Sequence, residues 1–254
     1  MKKKIVLTFI LMSYMYVHSQ DFSLYEKRVF KYKKETLSYR ILYPKDYDIN
    51  KEYPLVLFLH GAGERGSDNE KQLSHGASLF LDSIQRNDYP AIVIFPQCPA
   101  EKTWSPRIIN YVDNERVFSF KKKALRPSFL VKKLMNEVRK KEAVNKNEIY
   151  IMGLSMGAMG TFDMCMRHPR FFRAAVAICG GADNEQLRKI KHMPIRIYHG
   201  DKDDVVSVKH SRTAYEKLKS LGANVEYIEY KDINHESWNN AFQEEDFLIW
   251  LYEK

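Results

Sequence analysis

The chain has 254 residues, 44% of them hydrophobic and 29% charged, with 11 Gly, 9 Pro and 3 Cys. That length and apolar content allow a full hydrophobic core and exclude a disordered, collagen-like or low-complexity chain. Three cysteines exclude a disulfide framework, and the net charge of +9 comes without the basic–aromatic alternation of a nucleic-acid binder.

Lys2, Lys3 and Lys4 precede an uncharged run from Ile5 to Val17, followed by His18, Ser19 and Gln20. A positive start, a short apolar stretch and small residues near its end predict a signal peptide over residues 1–19, too short to span a bilayer. A periplasmic or secreted mature chain is expected, residues 20–254 forming one domain with no integral membrane segment. Phe30–Tyr32 and Leu37–Tyr43 then predict an antiparallel hairpin.

From Lys51 onward, short apolar runs alternate with amphipathic stretches. Leu55–Leu59 and Ala91–Phe95 read as strands entered through Pro54 and Pro90, and Ile195–Tyr198 as one entered through Pro194. Glu148–Met152, Ala174–Ile178 and Val225–Tyr230 add three more. Helical patterns cover Asn69–Arg86, Leu130–Lys140, Ala158–His168, Ser211–Leu221 and Ser237–Tyr252. Strands apolar on both faces, alternating with helices, predict a doubly wound, mostly parallel α/β sheet with helices on both sides and the hairpin on its edge.

Two stretches stand apart. Glu101–Ser128 carries Trp104, Tyr111, Phe118 and Phe120 without clean periodicity, which suits a lid, a substrate wall or a cover for the sheet edge. The basic excess between Lys121 and Lys146 suits the solvated face of a helix, or else an acidic polysaccharide or anionic surface.

The chemistry centres on Gly153-Leu154-Ser155-Met156-Gly157. Alone this pentapeptide is a weak signal, but it lies between a predicted strand and a predicted helix. That is the setting that holds a serine in a strained turn with its hydroxyl presented. A serine needs a base, and the base an orienting acid. Two loops at carboxyl ends of strands supply them. His199-Gly200-Asp201-Lys202-Asp203-Asp204-Val205-Val206 offers three acids, and Ile233-Asn234-His235-Glu236 offers a histidine. The N–H of Met156 provides one oxyanion donor. No His-x-x-x-His or Cys-x-x-Cys spacing is present, so no metal and no cofactor is expected. Cys98, Cys165 and Cys179 read as buried thiols, with one disulfide left open.

With Leu59-His60-Gly61-Ala62-Gly63-Glu64-Arg65-Gly66, Pro96-Gln97-Cys98-Pro99 and Trp104 added to these motifs, the chain resembles α/β-hydrolases. It is most similar to secreted feruloyl and acetyl-xylan esterases, relatives of dienelactone hydrolases and prolyl-oligopeptidase-like catalytic domains. The resemblance runs from about Tyr53 to the C-terminus. It implies a triad of Ser155, Asp203 and His235, with Asp201 bracing the loop and Ala62 giving the second oxyanion N–H. Asn234 departs from the pattern, standing where a glycine often precedes the histidine. Trp104, Gly61, Glu64 and Arg65 are candidate substrate contacts, although Glu64 and Arg65 also suit a pair that stabilises their own loop. His75, His168, His192 and His210 read as ordinary surface residues.

The expected function is hydrolysis of carboxylic esters through an acyl-enzyme, on acetyl or feruloyl groups of polysaccharide. Alternatives are a lysophospholipase or thioesterase-type lipid hydrolase, a small serine peptidase, or a non-catalytic carbohydrate-binding relative. A histidine base predicts activity that rises with pH through the ordinary histidine range, about 6.5.

Overall fold

A computed structural model describes residues 21–112 and 115–254; the expected signal peptide lies outside the described residues. The central sheet has eight strands: β1 (Glu26–Tyr32), β2 (Glu35–Leu42), β3 (Tyr53–Leu59), β4 (Ile92–Pro96), β7 (Val144–Leu154), β8 (Ala174–Ile178), β9 (Ile195–Gly200) and β10 (Val225–Tyr230). Their spatial order is β1-β2-β4-β3-β7-β8-β9-β10. β1 and β2 form the expected antiparallel hairpin, and β2 joins β4 antiparallel with Tyr39 opposite Pro96. All pairings from β4 to β10 are parallel.

Period-2 alternation divides the core between the two faces of this sheet. Leu55, Leu57 and Leu59 of β3 pack with Ile149 and Ile151 of β7 on one face, under α2 (Arg126–Lys141), α3 (Met156–Arg167) and α4 (Lys209–Ser220). Val56, Phe58, Tyr150 and Met152 point to the other face, under α6 (Phe247–Tyr252). The apolar stripe of α2 (Leu130, Val131, Leu134, Met135, Val138) is buried as its spacing predicts. Arg139, Lys140 and Lys141 close its last turn, where cations offset the carbonyl end of the helix dipole.

Three expected elements differ. Asn69–Arg86 is two 3₁₀ turns (Lys71–Leu73, Ala77–Phe80) followed by α1 (Ser83–Asp88), rather than one helix. Gly76 separates the turns at φ +80°, where a β-carbon would meet the Phe58 ring at 2.4 Å. The chain therefore bends at Gly76 to lie close on the sheet. Ser237–Tyr252 is likewise split into α5 (Trp238–Ala241) and α6. The acids between them reach sideways: Glu244 accepts from Tyr230 Oη at 2.8 Å, and Asp246 accepts from Arg196 Nη1 at 2.9 Å. Finally, the aperiodic stretch holds a separate two-stranded ribbon, β5 (Arg107–Val112) paired with β6 (Glu115–Phe120).

Candidate active site

The last residue of β7 and the first of α3 flank Ser155 directly. Its backbone sits at φ 52°, ψ −116°, a conformation that L-residues rarely adopt. The turn is held by Ser155 N–H donating to Ile178 O at 2.8 Å, while Met159 N–H donates back to Ser155 O at 3.2 Å. Gly157 makes this packing possible, because a β-carbon there would meet Leu59 O at 1.9 Å. The spacing of the pentapeptide is thus a steric requirement of a strand and helix in near contact.

Ser155 Oγ lies 2.9 Å from His235 Nε2, and His235 Nδ1 lies 2.7 Å from Asp203 Oδ2. Facing a carboxylate, Nδ1 carries the proton, leaving Nε2 to accept from the serine hydroxyl. Of the three acids in the loop, Asp203 is the one that reaches the histidine. Asp201 Oδ1 instead accepts from Asp232 N–H at 2.7 Å, tying this loop to the next and bracing it as expected. Asn234 tightens the same junction, its Oδ1 accepting from His235 N–H at 2.7 Å and Asp204 N–H at 3.1 Å. An asparagine here supplies two bonds that a glycine lacks.

Asp203 accepts from four donors. Val205 and Val206 N–H reach Oδ1 at 2.9 and 2.8 Å, and His235 and His199 reach Oδ2. Burial pushes this carboxyl up, but the bonds from His199, His235 and the Val206 N–H outweigh it and hold the group well below the ordinary carboxylate range. His199 is a partner that sequence reasoning missed. Fully buried, it donates from Nε2 to Asp203 Oδ2 and Val206 O, both at 2.9 Å, while Nδ1 lies 2.7 Å from Ser211 Oγ. Its only sequence signal was its place at the head of the acid loop.

On the other side of Ser155, a β-carbon on Gly61 would meet Leu154 Cδ1 at 2.8 Å and Ser155 Cβ at 3.7 Å. Gly61 therefore lies close to Ser155. Met156 opens α3, where the first N–H groups have no intrahelical acceptor. The loop after β3 hangs from buried His60, whose Nδ1–H donates to Gly61 O at 2.6 Å and whose Nε2 accepts from Cys98 N–H at 2.9 Å. Burial lowers the His60 pKa to about 4, keeping the ring neutral.

One expected substrate contact and one expected pairing are corrected. Trp104 is fully buried and donates from Nε1 to His60 O at 3.0 Å, a post under the loop with no open face. Its size is spent on packing against His60 and against Gly160, where a β-carbon would lie 2.5 Å from Trp104 Cβ. Glu64 and Arg65 do not pair with each other either. Arg65 Nε donates to Ala62 O at 2.8 Å, whereas Glu64 Oε1 lies 3.7 Å from His75 Nε2. Glu64 Oε2 is buried and accepts no hydrogen bond among the described residues. His75 packs 5.2 Å from Trp238, whose indole in turn meets the edge of His235, so it belongs to the surround of this site.

All three cysteines are free and buried. Cys179, Asp203 and His235 offer atoms within 4.8 Å of one another, a spacing that a metal ion also uses. Here the Asp203 and His235 atoms already bond to each other, and burial pushes the Cys179 thiol far up, keeping it protonated. No helix among the described residues is long and apolar enough to cross a membrane.

A serine on a strand–turn–helix elbow, at the carboxyl edge of a doubly wound sheet, with histidine and aspartate on the two following loops, defines an α/β-hydrolase. The chain belongs to the phospholipase/carboxylesterase family, whose model matches residues 47–249. Among solved structures, a thermostable esterase is 33% identical with a TM-score of 0.82, covering 91% of this chain and 63% of its own. The chain thus spans less than two thirds of that esterase. A ferulic acid esterase from Anaeromyces mucronatus, solved with ferulic acid, shares the fold at 16% identity and TM-score 0.62, covering 83% of this chain and 84% of its own. No protein of curated function matches significantly. The resemblance expected from the motifs therefore holds for fold and family.

Proposed function

We propose that the chain is an exported serine ester hydrolase that removes acetyl or feruloyl-type acyl groups from polysaccharide. The observation that carries this reading is the hydrogen-bond relay from Ser155 through His235 to Asp203, at 2.9 and 2.7 Å. In it, Ser155 Oγ attacks the ester carbonyl as His235 Nε2 takes its proton, and Asp203 stabilises the imidazolium. The N–H groups of Met156 and Ala62 receive the oxyanion. Collapse of the tetrahedral adduct expels the alcohol, protonated by His235. Water, deprotonated by the same histidine, then releases the acid and restores the serine.

The sugar side of the substrate rests on two features. Glu64 Oε2, which accepts no hydrogen bond among the described residues, lies close to Gly61, and in this reading it accepts a hydroxyl of the alcohol once substrate opens the loop around it. The β5–β6 ribbon serves as a fixed wall rather than a lid. Phe118 stacks on His210 at 4.0 Å, and Phe120 N–H donates to Asp183 Oδ2 at 2.9 Å. Both phenylalanines are buried at its base, while Tyr111 stands 67% exposed. The ferulic acid esterase neighbours and the basic, apolar leader at residues 2–17 add support for the acyl class and for export.

The test is hydrolysis of aryl acetate, aryl octanoate, methyl ferulate, acetylated xylan and a proline amide by residues 20–254, with Ser155→Ala as control. Expected is serine-dependent turnover of acetate or ferulate with octanoate slow, and a fall of at least about 10⁴ in kcat for Ser155→Ala. Preference for octanoate indicates a lipid hydrolase, and cleavage of the amide a peptidase. No turnover at all indicates a binding protein.

A further inference from the structure

A second cleft lies on the α2–α3 side of the sheet, away from the serine. It has a volume of about 1020 Å³ and is lined by residues of α2, the C-terminal end of α3, the 3₁₀ turn at Leu187–Ile190 and the segment after β6. Ser155, Asp203 and His235 are not among its walls. Along α3, Arg167 stands 11 residues past Met156, roughly 16 Å from the nucleophile at 1.5 Å per residue.

The charge of this cleft is one-sided. Lys122, Lys132, Lys133, Arg188 and Lys189 line it, against Glu185 as the single acid on its wall. Among the described residues none of these five cations forms an ion pair with a carboxylate. The partners they do have are neutral: Lys132 Nζ donates to Asn136 Oδ1 at 2.7 Å and sits 3.7 Å from the Phe171 ring centre, and Lys189 Nζ donates to Gln186 Oε1 at 2.8 Å. Arg167, also on the wall, is the exception, held by Asp163.

Crowded like charges raise one another's energy, and the cost grows as water is excluded. Lys132 records it, since burial and then the nearby Arg139 and Lys133 lower its pKa to about 8. Burial, with Lys132 and Arg167 beside it, likewise lowers His168 to about 4. Anionic groups entering the cleft relieve this field. A lysine-rich helix face that served only for solubility has no need of a concavity, and a flat membrane surface does not enter one. Phe120 and Phe129 add an apolar floor of the kind on which sugar rings rest.

We propose that this cleft is a binding site for an oligosaccharide carrying acidic groups, carboxylate or sulfate, that holds a polymer remote from the reacting ester. The preference for anions stands on the cleft itself. The choice of a saccharide among polyanions rests on the polysaccharide reading above. Binding of an ester-free oligosaccharide needs no catalysis, so failure of either reading is seen separately.

The experiment is calorimetric titration of the wild-type chain with tetragalacturonate and with a sulfated tetrasaccharide, at 50 and 200 mM salt. The Lys132→Gln/Lys133→Gln/Arg188→Gln protein is compared with a charge-matched control, Lys45→Gln/Lys51→Gln/Lys231→Gln, whose sites are exposed and outside the cleft. Expected is binding of at least one tetrasaccharide, weakened at least about tenfold by the cleft variant and by higher salt, and less than about twofold by the control. Aryl acetate turnover stays within about twofold in both, which also reports folding. Should the triple variant not fold, Arg188→Gln/Lys189→Gln on the exposed 3₁₀ turn replaces it, with a loss of at least about threefold expected. Equal loss in cleft and control variants, or no binding of either tetrasaccharide, overturns the proposal. So does cleft-dependent binding of phosphatidylglycerol vesicles or duplex DNA without the tetrasaccharides.

Discussion

His60 and His199 are equally sealed, at 1% and 0% exposure, and each stands at or just past the end of a parallel strand, beneath a loop of the site. Their partners differ. Among the described residues the ring nitrogens of His60 bond only to backbone, one acceptor on Nδ1 and one donor on Nε2, and so bolt the Gly61–Gly66 loop to the Cys98 peptide. His199 meets a carboxylate and shares Asp203 Oδ2 with His235. One residue type at one depth thus fixes the shape of a loop in the first case and the charge and aim of an acid in the second. Removing each should fail differently: the first loop loses geometry, the second loses electrostatics.

The largest effect falls on the charge. Asp203→Asn keeps the shape of the side chain but cannot accept from both imidazoles as a carboxylate does, and it frees His235 to adopt the wrong tautomer. A loss of about 10⁴ in kcat on aryl acetate is expected, with KM nearly unchanged. If Asp203→Asn keeps a tenth of the activity while Asp201→Asn or Asp204→Asn loses it, the acid has been misassigned and His199 has no part in orienting it.

The next effect falls on shape. His60→Asn cannot span from Gly61 O to Cys98 N–H, so one buried N–H is left unpaired and Ala62 drifts from the oxyanion position proposed for its N–H. Loss of one such donor corresponds to about 10²–10³ in kcat. The same variant carries a pH signature. The folded pKa of His60 is about 4, below the usual value near 6.5. As pH falls the unfolded chain therefore takes up its proton first. The stability linked to the neutral buried ring is fully present above about 6.5 and is lost between there and about 4, amounting to about 3 kcal/mol. Asp203 has the opposite sign: its contribution is present above the unfolded carboxylate value of about 3.9 and is lost only below it. Urea midpoints at pH 7 and pH 4.5 should converge for wild type and His60→Asn at the lower pH. Parallel profiles would mean that His60 is not the buried neutral group.

The two loops also differ in how legible they were. Gly153–Gly157 and the strands around it could be read because apolar runs and glycines at close backbone contacts leave a local pattern, whereas the choice of Asp203 among three acids, and the match of His235 to the base, come from the family resemblance. The function of His60 and His199 could not be read, since each bonds to residues far along the chain, Cys98 in one loop and Ser211 on α4 in the other. The same reason explains Asn69–Arg86: its composition permits a helix, and the bend at Gly76, at φ +80° against the distant Phe58 ring, leaves no local mark. Trp104 stands as a candidate substrate contact in the sequence because one aromatic among several in an aperiodic stretch carries no local sign of burial.

Trp104 also offers the finest test of the comparison. Its indole N–H donates to His60 O, so it supports the shape-holding loop from one step further out than the imidazole. Trp104→Phe removes that donor and part of the packing against Gly160, while the ring of His60 keeps both of its own bonds. A buried carbonyl left unpaired costs about 1–3 kcal/mol, so the urea midpoint should fall by a corresponding amount. Because the loop is still bolted by His60, kcat and KM for aryl acetate and methyl ferulate should each stay within about threefold of wild type. A rise in KM confined to methyl ferulate, with the midpoint unmoved, would instead put the indole in contact with the acyl group and require the loop to open around it.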